Sequence, residues 1–295
     1  MATLAVTGAS GFLGAHYLKH IVLHQPAWRV VAQVRSTPLG FSNPQIQPLT
    51  CDLTWHRAPH VLAGLEPDVI VHMAAAIMED NARQRNASMM RHVLEACRLS
   101  GARLVYISSS QVHFSRLNSY ALSKLDDEQA ARASDVPHVI LRPAAPYGQL
   151  LPDHTPARDQ SMHVLARFIT RLPAVPVIGN GRYTRQPVHV DDFNAAINHF
   201  IESDRWPRAA FDIGGPDAYT MDEIIEILCR VAGKTVLRVH LPKQLFQLAS
   251  HVVKTFHSDL LSTIDCDEWV DNAPLLAELG RGSFTPFEQG AACLF

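Results

Sequence analysis

The chain has 295 residues, of which 47% are hydrophobic and 18% charged, with a formal net charge of −2. That allows a large core in one large or two modest domains, with the composition of an ordinary soluble globule. The near-neutral balance and the lack of a basic block argue against a nucleic-acid surface, and the longest apolar stretch, near Val69 to Met78, is too short to span a bilayer. Five scattered cysteines, an odd count without metal-like spacing, fit reduced thiols. Met1-Ala2-Thr3 runs straight into a strand and leaves no room for a signal peptide, so the expected location is cytoplasmic.

In chain order, a strand is predicted over Thr3–Val6. It empties into Thr7-Gly8-Ala9-Ser10-Gly11-Phe12-Leu13-Gly14, and a helix follows over Phe12–His24, with Phe12, Leu13, Tyr17, Leu18, Ile21 and Val22 at helical spacing. A strand, a glycine-spaced turn and a helix make the geometry that binds a dinucleotide pyrophosphate. Gly8 can turn the chain sharply, Gly11 lets a phosphate approach the backbone, and Gly14 lets the helix pack on the strand. The free N–H groups and positive dipole end of the helix then face the anion. Two residues lie between the first two glycines, unlike the commonest fingerprint, which has one. His16, His20 and His24 share one face of this helix; without a carboxylate or cysteine at ligand spacing they read as a solvated face and not a metal site.

Further strands are predicted over Arg29–Val34, Gln45–Leu49, Asp68–His72, Arg103–Ile107 and His138–Leu141, with helices over Ala58–Leu65, Asn81–Ser100 and Tyr120–Ala133. This alternation predicts an α/β fold, a doubly wound parallel sheet of Rossmann type with ligands at the carboxyl ends of its strands. After Arg142-Pro143 the texture changes: Pro146, Gly148, Pro152 and Pro156 mark a loop-rich passage before a helix over Met162–Arg171. Gln186–Val190 and Phe211–Ile213 read as strands returning to the sheet, and Thr220 signals a helix over Met221–Val231. The expected division is a dinucleotide-binding domain, 1–147 plus 186–213, and a smaller substrate lobe, 148–185 plus 214–295.

Tyr120 and Lys124 lie one helical turn apart on one face. A phenol has an ordinary pKa near ~10, too high for an efficient base at neutral pH, and a neighbouring ammonium lowers it. Such a pair can exchange a proton with a substrate hydroxyl or carbonyl. The same spacing is common on exposed helices, so its position after the Ser-rich strand end carries the reading.

Together with the first turn, several motifs stand in order: Cys51-Asp52-Leu53, His72-Met73-Ala74-Ala75, Ser108-Ser109-Ser110, Tyr120-Ala121-Leu122-Ser123-Lys124, Leu141-Arg142-Pro143 and Val188-His189-Val190-Asp191-Asp192. Up to about Ile213 the chain resembles the extended short-chain dehydrogenase/reductase family, also called the NAD-dependent epimerase/dehydratase family. The resemblance implies an NAD(P)-dependent oxidoreductase that moves hydride between nicotinamide and a carbonyl or alcohol carbon. It implies Tyr120 as acid/base, Lys124 also holding the nicotinamide ribose, and a serine bonded to the reacting oxygen. Ser109 aligns best with that serine, and Ser110 is its rival. For the cofactor it implies the turn residues Gly8, Ser10, Gly11, Phe12, Leu13 and Gly14, then Asp52 beside the adenine with Leu53. Met73, Ala74 and Ala75 after the fourth strand and Pro143 after the sixth complete that set.

NAD binders usually carry a carboxylate at the end of the second strand. Here the strand ends Gln33-Val34-Arg35-Ser36, and a guanidinium with a hydroxyl can hold a 2′-phosphate. The expectation is NADP ahead of NAD; the alternative is that Arg35 stacks on adenine or faces water. Ser110, Tyr147 and Arg185 are the candidate substrate residues. Arg185 aligns with an arginine that grips a substrate phosphate in sugar-nucleotide epimerases, yet Ala145 stands where many of those enzymes carry asparagine, and Gln186-Pro187 replaces a frequent acidic-aromatic pair. The loop between Ser109 and Tyr120 is short as well. A smaller or less charged small-molecule substrate is therefore expected. The alternatives are a nucleotide-sugar epimerase, dehydratase or reductase, and a non-catalytic NADP-binding sensor or assembly factor. A homodimer is expected through the helices over Asn81–Ser100 and Tyr120–Ala133, using Ala87, Met90, Val93, Leu94, Ala121, Leu125 and Ala130.

Overall fold

The computed structural model describes residues 2–77, 79, 81–151, 161–203, 205–245 and 262–295. Its strands are β1 (Thr3–Thr7), β2 (Arg29–Val34), β3 (Ile46–Thr50), β4 (Val69–His72), β5 (Arg103–Ile107), β6 (His138–Pro143), β7 (Ala174–Ile178), β8 (Thr184–Arg185), β9 (Ala210–Ile213), β10 (Tyr219–Thr220) and β11 (Leu237–Leu241). Seven of them form one sheet in the order β3-β2-β1-β4-β5-β6-β9, every pair parallel. The order reverses direction at β1, and the crevice where β1 and β4 part is where a doubly wound sheet binds its ligand.

Alternation along the strands explains the two layers of helix. Leu4, Val6, Val69, Val71 and Val105 face one side, where α1 (Phe12–His24) and α6 (Val190–Glu202) bring Tyr17, Leu18, Ile21, Phe193 and Phe200. Ala5, Ile70, Leu104 and Ile140 face the other, against Leu62 of α2 (Ala58–Ala63) and Met89, Met90, Val93 and Leu94 of α3 (Ala82–Ser100). α4 (Ser119–Ala133) lies beside α3 and adds Ala131 to that core. Both faces are covered, which is why the strands read as unbroken apolar runs.

The smaller lobe has a core of its own. α5 (Ser161–Arg171) and α7 (Met221–Ala232) pack with Val175 and Val177 of β7, which pairs in parallel with β11, while β8 and β10 pair antiparallel. Thr220 starts α7 as expected: its hydroxyl accepts from the Glu223 amide while the Glu223 carboxylate accepts from the Thr220 amide, a full capping box. The tail serves both cores, because Leu275 of α8 (Ala273–Leu279) and Phe284 join the main sheet's core.

Gln186–Val190 does not return as a sheet strand. One bridge joins Tyr147 to His189, and α6 starts at Val190, its N-terminus capped by the His189 ring. The buried Val190, Phe193, Ala196, Ile197 and Phe200 repeat at helical spacing, so the segment continues as helix. Pro152 and Pro156, expected to break the chain, lie outside the described residues. Among the described residues no helix is long and apolar enough to cross a membrane.

Candidate active site

The glycine turn closes the carboxyl end of β1. Gly8 sits at φ +68°, and a Cβ there would lie 2.6 Å from the Ala74 amide nitrogen; at Gly14 a Cβ would lie 2.4 Å from the Gly8 carbonyl oxygen. Two glycines are thus required by the fold itself. Gly11 is different: the single atom within 4 Å of its virtual Cβ is the Gly8 carbonyl oxygen at 3.2 Å. No side chain caps the N-terminus of α1 at Gly11, and its first turn holds no acid. Uncapped amides at the positive end of a helix, beside a glycine, fit the pyrophosphate of a dinucleotide. Ser10 and Leu13 are half-buried beside the turn, while Phe12 is buried with its ring edge-on to His16 and His163.

Residues given no role in the sequence reading fasten this turn. Gln33, buried in β2, accepts from the Gly8 amide at 3.1 Å through Oε1. Thr7 Oγ1 lies 2.7 Å from His72 Nδ1 and accepts from the amides of Met73 (3.2 Å) and Ala74 (3.4 Å). Burial pushes His72 down to about 3, so its ring is neutral. The signal was available: Gln33 and His72 are polar residues in otherwise apolar strands. His16 corrects the solvated-face reading of α1, since it is buried, its Nε2 lies 3.0 Å from the Gln149 carbonyl, and burial lowers its pKa to about 4. His20 and His24 stay nearer the surface.

The residues expected beside the adenine form a charged cluster. Asp52 accepts from the amide and hydroxyl of Thr54 and pairs with Arg85 at 3.3 Å. Burial works against the charge, but those partners hold the carboxyl below its ordinary value. Arg35, 54% exposed, pairs with Glu79 at 2.9 Å, and Glu79 also meets Arg85 at 3.0 Å. Ser36 is exposed and Ala75 half-buried. The Leu53 side chain points into the core and its carbonyl lies 2.7 Å from His92 Nδ1, so what it leaves to the cleft is its backbone.

Catalytic candidates gather at the carboxyl end of β5. Ser109 caps a 3₁₀ turn over Ser110–His113, its Oγ accepting from the Gln111 amide at 3.3 Å. Asn118 caps α4 by accepting from the Ala121 amide at 2.8 Å, which puts Tyr120 in the first turn of that helix, half-buried. Lys124 is buried one turn on. It donates to the Ile107 carbonyl at 2.7 Å, with Nζ 4.8 Å from the centre of the Tyr106 ring and 5.7 Å from that of Tyr120. Burial lowers its pKa to about 8, against the pull of Asp127 and Glu128. The sheet edge beneath is tied by Glu128, which accepts from Ser108 (2.6 Å) and from Arg142 at both oxygens (2.8 and 2.6 Å). Pro143 ends β6 in register with Ile213.

The substrate candidates part company. Ser110 is buried and donates to Glu268. Tyr147 is wholly buried, its ring edge-on to His189 and Phe287 in the core of the smaller lobe, so it is corrected to a packing residue. Arg185 lies beside the residue that ends the 3₁₀ turn after Ser109, with its guanidinium 5.8 Å from the Phe114 ring and 5.0 Å from Tyr183. It already donates to the carbonyls of Thr184 (2.7 Å), Cys266 (2.7 Å) and Ile264 (2.6 Å).

An open parallel sheet, a pyrophosphate turn at its switch point and a Tyr–Lys pair beside it define a nicotinamide-dependent enzyme of the Rossmann class. The model of the NAD dependent epimerase/dehydratase family matches residues 4–214. A ceramide reductase of Caulobacter vibrioides is 31% identical over 245 residues, 81% of this chain and 73% of that protein. Two solved structures share the fold: a dTDP-glucose 4,6-dehydratase from Bacillus anthracis in complex with NAD (TM-score 0.81, 18% identity, 99% of this chain and 94% of that one) and a UDP-glucose 4-epimerase from Thermotoga maritima (TM-score 0.79, 18% identity, 99% and 97%). The chain belongs to the NAD-dependent epimerase/dehydratase family, and is an oxidoreductase of the extended short-chain dehydrogenase type.

Proposed function

We propose that the chain reduces a carbonyl, or oxidises the matching alcohol, on a small molecule that carries no diphosphate. Bound nicotinamide supplies or accepts the hydride. The chain does the rest: Tyr120 gives or takes the proton at the substrate oxygen, Lys124 favours the phenolate and holds the ribose, and Ser109 hydrogen-bonds the reacting oxygen. Gly8, Gly11 and Gly14 with Ser10 hold the pyrophosphate, Asp52 the adenosine side, and the segments Met73–Ala75 and Pro143 flank the cofactor. The domain 1–147 plus 186–213 carries this machinery, and the rest supplies the wall over the substrate.

The observation that carries the substrate class is the occupied state of Arg185. Its guanidinium is spent on three main-chain carbonyls, so a substrate diphosphate would have to displace bonds already made. The relative named ceramide reductase supports reduction of something other than a sugar nucleotide. A screen of uncharged ketones and aldehydes against UDP- and dTDP-sugars, following absorbance of the reduced cofactor, tests this. Epimer formation without net cofactor consumption would overturn it in favour of the sugar-nucleotide reading. Tyr120→Phe with intact cofactor binding and unchanged biological activity would favour the sensor.

For the cofactor we infer NADP ahead of NAD, with Arg35 leaving Glu79 for the 2′-phosphate. We also infer a cytoplasmic location and a homodimer through α3 and α4. Met90, Val93, Leu94 and Ala121 are core within one chain, which leaves Ala87, Leu125 and Ala130 for that contact. Sedimentation of the intact chain tests the dimer.

A further inference from the structure

We propose that Glu268 is a positioning residue, supplied by the C-terminal segment, that sets the turn carrying Ser109 relative to the helix carrying Tyr120. The proposal rests on the reading of those two as the reacting groups.

The segment Thr263–Glu268 is bound to both ends of the loop between Ser109 and Tyr120. At the start of the loop, the buried Ser110 hydroxyl donates to Glu268. At its end, Asn118 Nδ2 donates to Thr263 Oγ1 at 3.0 Å while Asn118 Oδ1 caps the helix of Tyr120. Between them, Arg116 pairs with Asp265. The other side of the segment is fixed to β8: the Glu268 amide donates to the Thr184 carbonyl at 3.1 Å, and Arg185 holds the carbonyls of Ile264 and Cys266. The spacing of serine and tyrosine is thus set by a piece of chain more than a hundred residues downstream.

Glu268 is itself 4% exposed. Four groups face its carboxyl: Arg185 of β8, the Ser110 hydroxyl of the catalytic turn, and the backbone amides of Gln186 and Ala145. Oε2 has no hydrogen-bond partner. Burial outweighs Arg185 and the other donors and raises the pKa, which favours the neutral acid. A neutral acid keeps one oxygen for Ser110 without an uncompensated buried charge. Glutamine reproduces that form; alanine removes it and leaves the Ser110 hydroxyl unpaired.

The test uses the full chain and two variants, Glu268→Gln and Glu268→Ala. Hydrogen exchange over residues 109–121 reports positioning without reference to activity. Glu268→Ala is expected to raise exchange there and to lower kcat on the order of 10²-fold, with the cofactor KM changed by less than about threefold. Glu268→Gln should restore both at neutral pH. Unchanged exchange in Glu268→Ala, or a Gln variant as loose as the Ala variant, overturns the proposal. Should the Ala variant not fold, Ser110→Ala, which removes the donor to Glu268, takes its place: unchanged exchange over residues 109–121 overturns the proposal. Loosened exchange with undiminished turnover would uphold the positioning role and refute the assignment of Ser109 and Tyr120, a result that full activity of Tyr120→Phe would confirm.

Discussion

The glycine turn and the Arg185 corner are built in opposite ways. The bend itself is made by neighbours in sequence, with Gly8 at φ +68° and the Gly8 carbonyl against Gly14, and Gln33 and Ala74 then fasten it from outside. The corner is made by strangers: Arg185, Phe114 and the carbonyls of Ile264 and Cys266 meet only in the folded chain. A site of the first kind tolerates little change in its own residues and depends little on the tail. A site of the second kind can be altered from several places. The turn should therefore govern cofactor affinity, and the corner substrate choice and turnover.

The largest expected effect is at Tyr120. Tyr120→Phe should lower turnover by ~10²- to 10⁴-fold with cofactor affinity unchanged; fluorescence titration with reduced cofactor beside steady-state rates checks both. Next, Gly14→Val should abolish measurable cofactor binding and cost about 1–3 kcal/mol of stability by overpacking, read by titration and urea unfolding. Equal loss of substrate KM alone would break the comparison. Arg185→Met should cost about 1–3 kcal/mol, because the carbonyls of Ile264 and Cys266 lose their donor, and should change kcat and substrate KM while leaving cofactor affinity intact.

The pH response sharpens the comparison further. Lys124 has a folded pKa of about 8 against an ordinary 10.5, so its ammonium is present below about 8 and is lost as pH rises. Turnover should fall on the alkaline side through that range. The stability contribution of Lys124 has the other sign: between about 8 and 10.5 the unfolded chain binds more protons, so stability should rise there with pH. A pH–rate profile set beside unfolding curves separates the two. The smallest effect is expected at the adenine end. Arg35→Ala should weaken NADPH binding about tenfold and NADH binding little, while Glu79→Gln should strengthen NADPH binding by freeing Arg35. Equal NADPH affinity in Arg35→Ala would remove the NADP assignment.

What could be read in advance follows the same division. Phe12–His24, Arg29–Val34 and Arg103–Ile107 were legible to the residue because apolar period and glycine punctuation are local signals. β7 and β11 were not legible: each is a short edge strand whose partner lies far along the chain. Tyr147 could be read as a substrate residue because sequence gives its position after β6 but not that Phe287 and His189 close over it. Glu268 carried no signal at all, being one acid in a mixed tail.

By itself the sequence determined the parallel sheet, the glycine turn and the placing of Tyr120 and Lys124 on one helix face, since each follows from spacing, backbone conformation or side-chain size within a few residues. Only the tertiary structure decided that Arg185 is occupied, that Tyr147 is core, that Arg35 pairs with Glu79 and that Glu268 meets Ser110. Those are contacts between distant segments. Their strength depends on burial and on which carbonyls and carboxylates arrive, and neither is written in the local pattern.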